Sequence, residues 1–564
     1  MNVVLAHGGT TLASYGTDWL YLLVPFLVFF AIVGFLVATG KGTGAPPVAF
    51  LLRIDDSLQR ISGLPGWSAA GIGVGLLALV VAVIGFYWDV AWHIEIGRDT
   101  FIFTPAHMMI VMGLGLILVA AATSILFATI RRAEIGMRLG ALRVPYSAIP
   151  LALLGLGALT GFPLDELWHR SYGIDVTMWG PTHLVMISGA SLAPIAMSLM
   201  LFEARGSERR TFLSDHLRVV TAGATLTGLS TWTGEFDFGV PQFQQLYHPM
   251  LVMVAASIGL VAARTRLGAG GALKAVGVFV AARLAVALVI GTSLNLIIPR
   301  FPLYIGAAIV VEIAARTFSR LRPVPAAAVT GTLVGTIGLA TEWGWTQLWG
   351  HHPWGPSLFP GVIAAAAIAI PGAILGRAMG EVLSDRRERP GARALALCVL
   401  AVVALLALPF PRRDTPIAAT LTTESVSAGR VQVEVEIDPA DAAEPADWFE
   451  VLSWQGGALQ LTEMEELSPG RYRSAEPVPV GGQWKTFVRL ARGDVLVAIP
   501  VFLPADPAIG ASEIPVAPSR DAEFQRDTEL LLREAHAGSS WPALVAYSAI
   551  LLLAVTWIAA LFYS

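Results

Sequence analysis

Cysteine is nearly missing from this chain: Cys398 is the only one in 564 residues. A single cysteine excludes an internal disulfide and any thiolate metal cluster, and its apolar neighbours mark it as a packing residue. Charge is scarce as well. Asp, Glu, Lys and Arg together make up 14% of the chain, where a soluble domain carries about 25%. The net charge of −4 says little, because charge in such a chain is sorted by side of the membrane; no nucleic-acid partner is expected. The opening MNVVLAHGGTTLASYGTDW has neither a basic stretch nor an apolar core before the first long apolar run, so no cleaved signal peptide is expected.

What is present in quantity is apolar sequence, 55% of all residues. It falls into about thirteen stretches long enough, or nearly so, to cross a bilayer. They cover roughly 17–39, 69–88, 105–130, 146–162, 181–202, 217–233, 247–263, 275–293, 302–316, 325–342, 357–376, 394–411 and 541–562. Arginine and lysine gather in alternate loops: Arg131, Arg132, Arg138 and Arg143 in one, Arg205, Arg209 and Arg210 in the next, then Arg264, Arg266 and Lys274. The intervening loops hold little beyond Arg98, Arg170 and Arg300. By the positive-inside rule the N-terminus lies outside. The fold expected is an all-α polytopic membrane protein of about thirteen helices, in what reads as a bacterial plasma membrane. Residues 1–411 form its transmembrane domain.

A different periodicity takes over at 412–520. VQVEVEI, WFEVLSW, RYRSAEPVPV, WKTFVRL and VLVAIPVFL alternate as strands do and are separated by turn signals. A small all-β, sandwich-like domain of about 90 residues is expected there, outside the membrane. It has no His, no Cys and only Met464, so it lacks a blue-copper ligand set. Residues 521–564 then read as a juxtamembrane helix, DAEFQRDTELLLREAH, and a final span.

One pattern occurs twice, within an internal repeat spanning about 70–130 and 146–203. Residues 88–107 read WDVAWHIEIGRDTFIFTPAH and residues 164–183 read LDELWHRSYGIDVTMWGPTH. Asp89, Trp92, His93, Gly97, Asp99, Pro105, His107 and Gly113 recur 76 residues later as Asp165, Trp168, His169, Gly173, Asp175, Pro181, His183 and Gly189. Asp89 and His93 are four apart, as are Asp165 and His169, so each pair shares a helix face. After an outer loop the chain re-enters a helix through TPAH or GPTH, with Pro in the first turn and His two residues on. One carboxylate and two imidazoles can then meet. Two nitrogens and one oxygen with an open position suit copper, and alternatively zinc or iron. Asp99 and Asp175 are candidates for orienting an imidazole. The bland alternative is solvated polar residues at a membrane interface, but ionisable groups at that depth are costly and usually functional.

Two weaker clusters lie in outer connections. TGEFDFGVPQFQQLYHP offers Glu235, Asp237 and His248, and TEWGWTQLWGHHPWGP offers Glu342, His351 and His352. They lack the spacing of the repeat and serve either as further ligands or supports, or as the Trp-rich loops of an aromatic belt. Arg283 and Glu312 fall inside spans and are expected to pair as a buried ion pair. Of the ten histidines, only His216 is placed on the cytoplasmic side.

The first copy resembles the C subunit of the copper membrane monooxygenases, the particulate methane and ammonia monooxygenases. That subunit carries an Asp, a Trp-His and a stretch like RDTDFTPSH; this chain has Asp89, Trp92, His93 and RDTFIFTPAH. The resemblance implies metal ligation by Asp89, His93 and His107, and through the repeat by Asp165, His169 and His183. The span between the two histidines is one residue longer here, and the family subunit has fewer spans and one such motif. The β domain lacks the copper ligands of the family's B subunit. The functional expectation is a copper-dependent monooxygenase or oxidase fed by a quinol or an extracytoplasmic redox partner, alone, as a homo-oligomer or with other membrane subunits. The alternatives are copper transport or metal loading, or a non-catalytic protein whose β domain docks a partner. Haem binding is disfavoured because each histidine has a carboxylate beside it.

Overall fold

In the computed structural model, residues 46–95, 104–172, 178–384, 391–407, 416–507, 510–531 and 540–563 are described, with a few positions between 24 and 34. The helices are α1 Pro46–Ser62, α2 Gly66–Glu95, α3 Pro105–Ile130, α4 Ala148–Tyr172, α5 Pro181–Glu203 and α6 Phe212–Ser230. They continue with α7 Tyr247–Leu267, α8 Gly271–Ser293, α9 Ile305–Thr317, α10 Pro323–Trp349, α11 Pro356–Val382, α12 Ala392–Ala407 and α13 Ser540–Tyr563. A short hairpin, β1 Met137–Leu139 with β2 Leu142–Val144, joins α3 to α4.

Eight helices among the described residues are long and apolar enough to cross a membrane: α2, α3, α4, α5, α7, α8, α10 and α11. A helical membrane protein is what such a set describes. The count is lower than the expected thirteen for identifiable reasons. The stretch 17–39 lies largely outside the described residues. The stretch 302–316 becomes α9, only 13 residues long, where spanning takes about 20. α6 is rich in threonines that bond back to their own helix, as Thr225 does to Thr221 O at 2.8 Å. The apolar parts of α12 and α13, Ala392–Leu406 and Trp541–Val555, are short.

The membrane part has two main cores. One joins α2, α3, α4 and α5 around Ile72, Ile117, Leu151 and Met197. The other joins α7 to α11 around Met250, Phe279, Tyr304 and Ile368.

The β domain is one antiparallel sheet of ten strands. Its strands are β3 Ala418–Ser427, β4 Arg430–Asp438, β5 Trp448–Gln455, β6 Ala458–Ser468, β7 Arg471–Ser474, β8 Val478–Pro479, β9 Lys485–Arg492, β10 Val495–Phe502, β11 Ser519–Glu523 and β12 Gln525–Arg526. Val431, Val433, Val435 and Ile437 point inward at every second position of β4 and meet Val488, Leu490 and Val501 from the other half of the sheet. The sheet therefore curls around its own core. It does not split into two, because the eleven-residue β6 pairs with β7 along one stretch and with β5 along another.

The expected juxtamembrane helix at 521–536 is corrected: Ser519–Glu523 pairs with β3, and helix begins only at Asp527. The β domain thus runs past residue 520. An edge strand bonding to a waiting partner outweighs the helical pattern of that stretch.

Candidate metal centre

Both copies of the repeat fold in the same way, and small residues are the reason. In the first, a Cβ on Gly113 of α3 would stand 2.6 Å from the backbone nitrogen of Ala82, and a Cβ on Gly85 of α2 would stand 2.8 Å from that of Ile110. In the second, a Cβ on Gly189 would lie 2.5 Å from Ala158 Cβ, and one on Gly161 would lie 2.3 Å from Met186 Cγ. All four contacts keep the offset of 76 residues. Glycine at these crossings lets the helices of each pair approach closely. The end of one helix and the start of the next then lie side by side.

That approach delivers the ligand types to one place. Asp89, His93 and His107 each offer an atom within 4.8 Å of the others, and so do Asp165, His169 and His183. In the first copy, Asp89 Oδ2 lies 3.7 Å from His93 Nε2 and Oδ1 lies 3.4 Å from His107 Nε2. In the second, the matching distances are 3.6 and 3.5 Å. These separations are long for hydrogen bonds. They suit donors sharing one ion, since ligands bonded at about 2.0–2.2 Å lie roughly 3–4 Å apart. The six side chains are 16–22% exposed, enough for an ion to enter without full hydration of the donors.

The surroundings differ between the copies. Thr104 caps α3, its hydroxyl oxygen accepting from His107 N at 3.4 Å. Gly180, its counterpart, offers no side-chain cap to α5. Thr182 instead donates from its hydroxyl to Asp165 Oδ1 at 2.5 Å. The ring of His107 meets the edge of Phe162, from the second copy, at 6.1 Å between centroids.

The weaker clusters stand apart from the two triads, which are the only such donor groups among the described residues. Asp237 is fully buried, pairs with Arg283 at 2.5 Å and accepts from Tyr87 Oη at 2.9 Å. The expected pairing of Arg283 with Glu312 is therefore corrected. Glu312 binds Arg264 at 2.8 Å and accepts from Gly270 N and Ala272 N at the start of α8.

Glu235 accepts from Met178 N at 2.8 Å. Glu342 accepts from Leu303 N and Tyr304 N at 3.0 and 2.6 Å. His248 stacks on Phe236, and its Nδ1 accepts from Trp354 Nε1 at 3.0 Å. His351 and His352 meet the carbonyls of Ile298 and Gly239 at 3.2 and 2.6 Å. Asp99 and Asp175 lie outside the described residues.

Two of these residues still bear on the repeat. Asp237 grips Tyr87, two positions before Asp89, and Glu235 grips Met178, just before α5. The segment TGEFD thus touches both copies. Sequence reading missed Tyr87, Thr182 and the pair Gly85 and Gly161. Extending the repeat four residues upstream reveals the last two, because Gly85-Phe86 and Gly161-Phe162 stand in register.

The β domain meets the end of α2 in the first copy and two other connections on the same side. Gly457 N donates to Glu95 O at 2.5 Å, two residues beyond His93. Arg489 donates to Pro241 O at 2.7 Å, and Trp448 stacks on His352 with centroids 4.9 Å apart. The second copy is met by α13, where Tyr547 Oη donates to Trp179 O at 3.0 Å.

Comparison with family models, with curated proteins and with solved structures finds no match to this chain.

Proposed function

We propose that this protein is a membrane metalloenzyme with two Asp-His-His copper centres on the extracytoplasmic side, acting as a copper-dependent monooxygenase or oxidase on a small substrate. One observation carries the reading: two donor triads, 76 residues apart, with the same residue types and matching distances. Ionisable groups at membrane depth are costly, which supports a functional reason for keeping both triads. Two imidazoles and one carboxylate are acceptable to copper, with zinc and iron as the competing ions. A bound copper ion would supply oxygen-activating redox chemistry. The chain's own part is to hold three donors on rigid helix ends, to leave a coordination position open and to limit water access.

Orientation follows from charge. The helix ends remote from the triads carry Arg131, Arg205, Arg264 and Arg266, as a cytoplasmic face does. Electrons would come from a quinol in the bilayer or from a protein that docks on the β domain. The resemblance of RDTFIFTPAH to the monooxygenase C subunit supports the oxygen chemistry. The concentration of ionisable groups at one face favours catalysis there over passage of an ion through the bilayer.

The test is the metal content of the purified protein beside His93→Ala and His169→Ala, by elemental mass spectrometry. Two equivalents of copper, with one lost in each variant, are expected, followed by quinol-dependent oxygen uptake. Two equivalents without oxygen uptake would turn the reading to metal handling. No bound metal after growth with copper, zinc and iron would overturn it.

A further inference from the structure

The two triads share a donor set, and one difference lies directly beside it: the placement of a hydroxyl. The first copy enters its second helix through Thr104-Pro105-Ala106-His107, and the other through Gly180-Pro181-Thr182-His183. The hydroxyl has moved two positions along the same tetrapeptide. At Thr104 it caps a helix end. At Thr182 it is aimed at a ligand, donating to Asp165 Oδ1 at 2.5 Å. That oxygen is the one facing His183 Nε2. The register partner of Thr182 is Ala106, which is wholly buried and has no group to donate. Asp89 Oδ1 accordingly receives no hydrogen bond among the described residues.

A hydroxyl donating to a carboxylate occupies a lone pair, withdraws charge from that oxygen and fixes the side-chain rotamer. Asp165 is left with Oδ2 as its stronger donor. Asp89 Oδ1 has no such donor among the described residues, and each Asp89 oxygen faces one imidazole of its triad. Groups that hydrogen-bond a ligating carboxylate set its orientation and its strength as a donor.

Building on the two-site reading above, we propose that Thr182 is a positioning residue that makes the two metal sites inequivalent. It holds Asp165 to one-oxygen ligation, giving a low-coordinate site with two imidazoles. Asp89, without such a partner, binds through both oxygens and gives a site of higher coordination number. The first site then takes ions with harder preferences and exchanges ligands more readily.

The experiment uses cobalt(II) as a spectroscopic probe on the full-length protein, stripped with chelator and titrated. His93→Ala isolates the second site and His169→Ala isolates the first. The expected result is one Co(II) per isolated site, with a stronger visible absorption, as tetrahedral ions give, at the second. Thr182→Val in the His93→Ala background should weaken that absorption toward the first site's spectrum and lower Co(II) affinity about 10-fold. Thr182→Ser, which keeps the donor, should preserve both, and so separates loss of the hydroxyl from loss of fold. Identical spectra at the two isolated sites, or an unchanged spectrum in Thr182→Val, would overturn the proposal while leaving two metal sites standing. Absence of Co(II) binding at both sites would overturn the metal reading itself.

Discussion

Asp89, His93 and His107 sit on α2 and α3 much as Asp165, His169 and His183 sit on α4 and α5, yet the supports behind the two triads share little. Behind Asp89 stands Tyr87, locked to Asp237 and Arg283. The residue in register with Tyr87 is Pro163, which has no hydroxyl and no such anchor. The first copy lies under the β domain through Glu95 and Gly457, and the second meets α13 through Trp179 and Tyr547. A duplicated ligand set on diverged supports indicates that the donor geometry was kept while each site's packing, cap and cover were set separately.

The largest asymmetry to test is the anchor. Removing the carboxylate in Asp237→Ala leaves Arg283 buried without its counter-charge, a loss of about 3–5 kcal/mol. The thermal midpoint should fall sharply, and metal should be lost from the His93 site before the His169 site. Equal loss at both would break the link between anchor and first copy.

Next come the glycine crossings. Gly85→Ala drives a methyl against the backbone of Ile110, whereas Gly161→Ala meets mainly the flexible side chain of Met186. The first should cost about 1–3 kcal/mol and the second clearly less. Denaturation of the two variants side by side reads the difference, and similar values would mean that both helix pairs relax equally.

A smaller contrast lies in the caps. Thr104→Ala removes a hydroxyl that accepts from His107 N and should cost about 0.5–2 kcal/mol. Gly180 has no side-chain cap to lose, so that loss has no counterpart in the second copy.

The smallest effect is expected from acid at the seam between the β domain and the outer connections, where two kinds of group titrate in opposite senses. Burial pushes Asp447 up to about 6, against hydrogen bonds from Ser357 and Gly493 N. Burial also pushes Glu450 up to about 7, against the pull of Arg489. Their stabilisation is present below the ordinary carboxylate range and is lost as pH rises through those values. Burial pushes His351 and His352 down to about 4. Their stabilisation is present above the ordinary imidazole value and is lost as pH falls toward 4. Thermal midpoints from pH 7 to 4.5 should therefore vary little in the unaltered protein. They should fall on acidification in the Asp447→Asn, Glu450→Gln variant and rise in the His351→Gln, His352→Gln variant. Parallel profiles in all three would remove the opposition.

Much of the candidate site was legible in the chain. Asp and His four apart on a helix share a face whatever surrounds them, and a His two residues after a helix-starting Pro lies in the first turn. The 76-residue register placed both triads for that reason. Less was legible for Glu235, Asp237, His248, Glu342, His351 and His352. Each was visible as polar sequence near a membrane face. Which backbone amide, carbonyl or ring it meets depends on contacts between elements far apart in the chain, such as Glu342 with Tyr304 or His352 with Trp448. The count of spans failed at α9 because an apolar run by itself gives no helix length.

By itself, the sequence determined the apolar lengths, the alternation of the β strands and the repeated Asp-x3-His with its returning His. All of these follow from local periodicity and from the expense of putting polar groups in a bilayer. Only the tertiary structure decided that Arg283 pairs with Asp237, that the β domain rests beside His93 and that Thr182 reaches Asp165. Those choices rest on packing, because a buried charge or hydroxyl takes the partner that folding brings within reach, and chain spacing does not encode that distance.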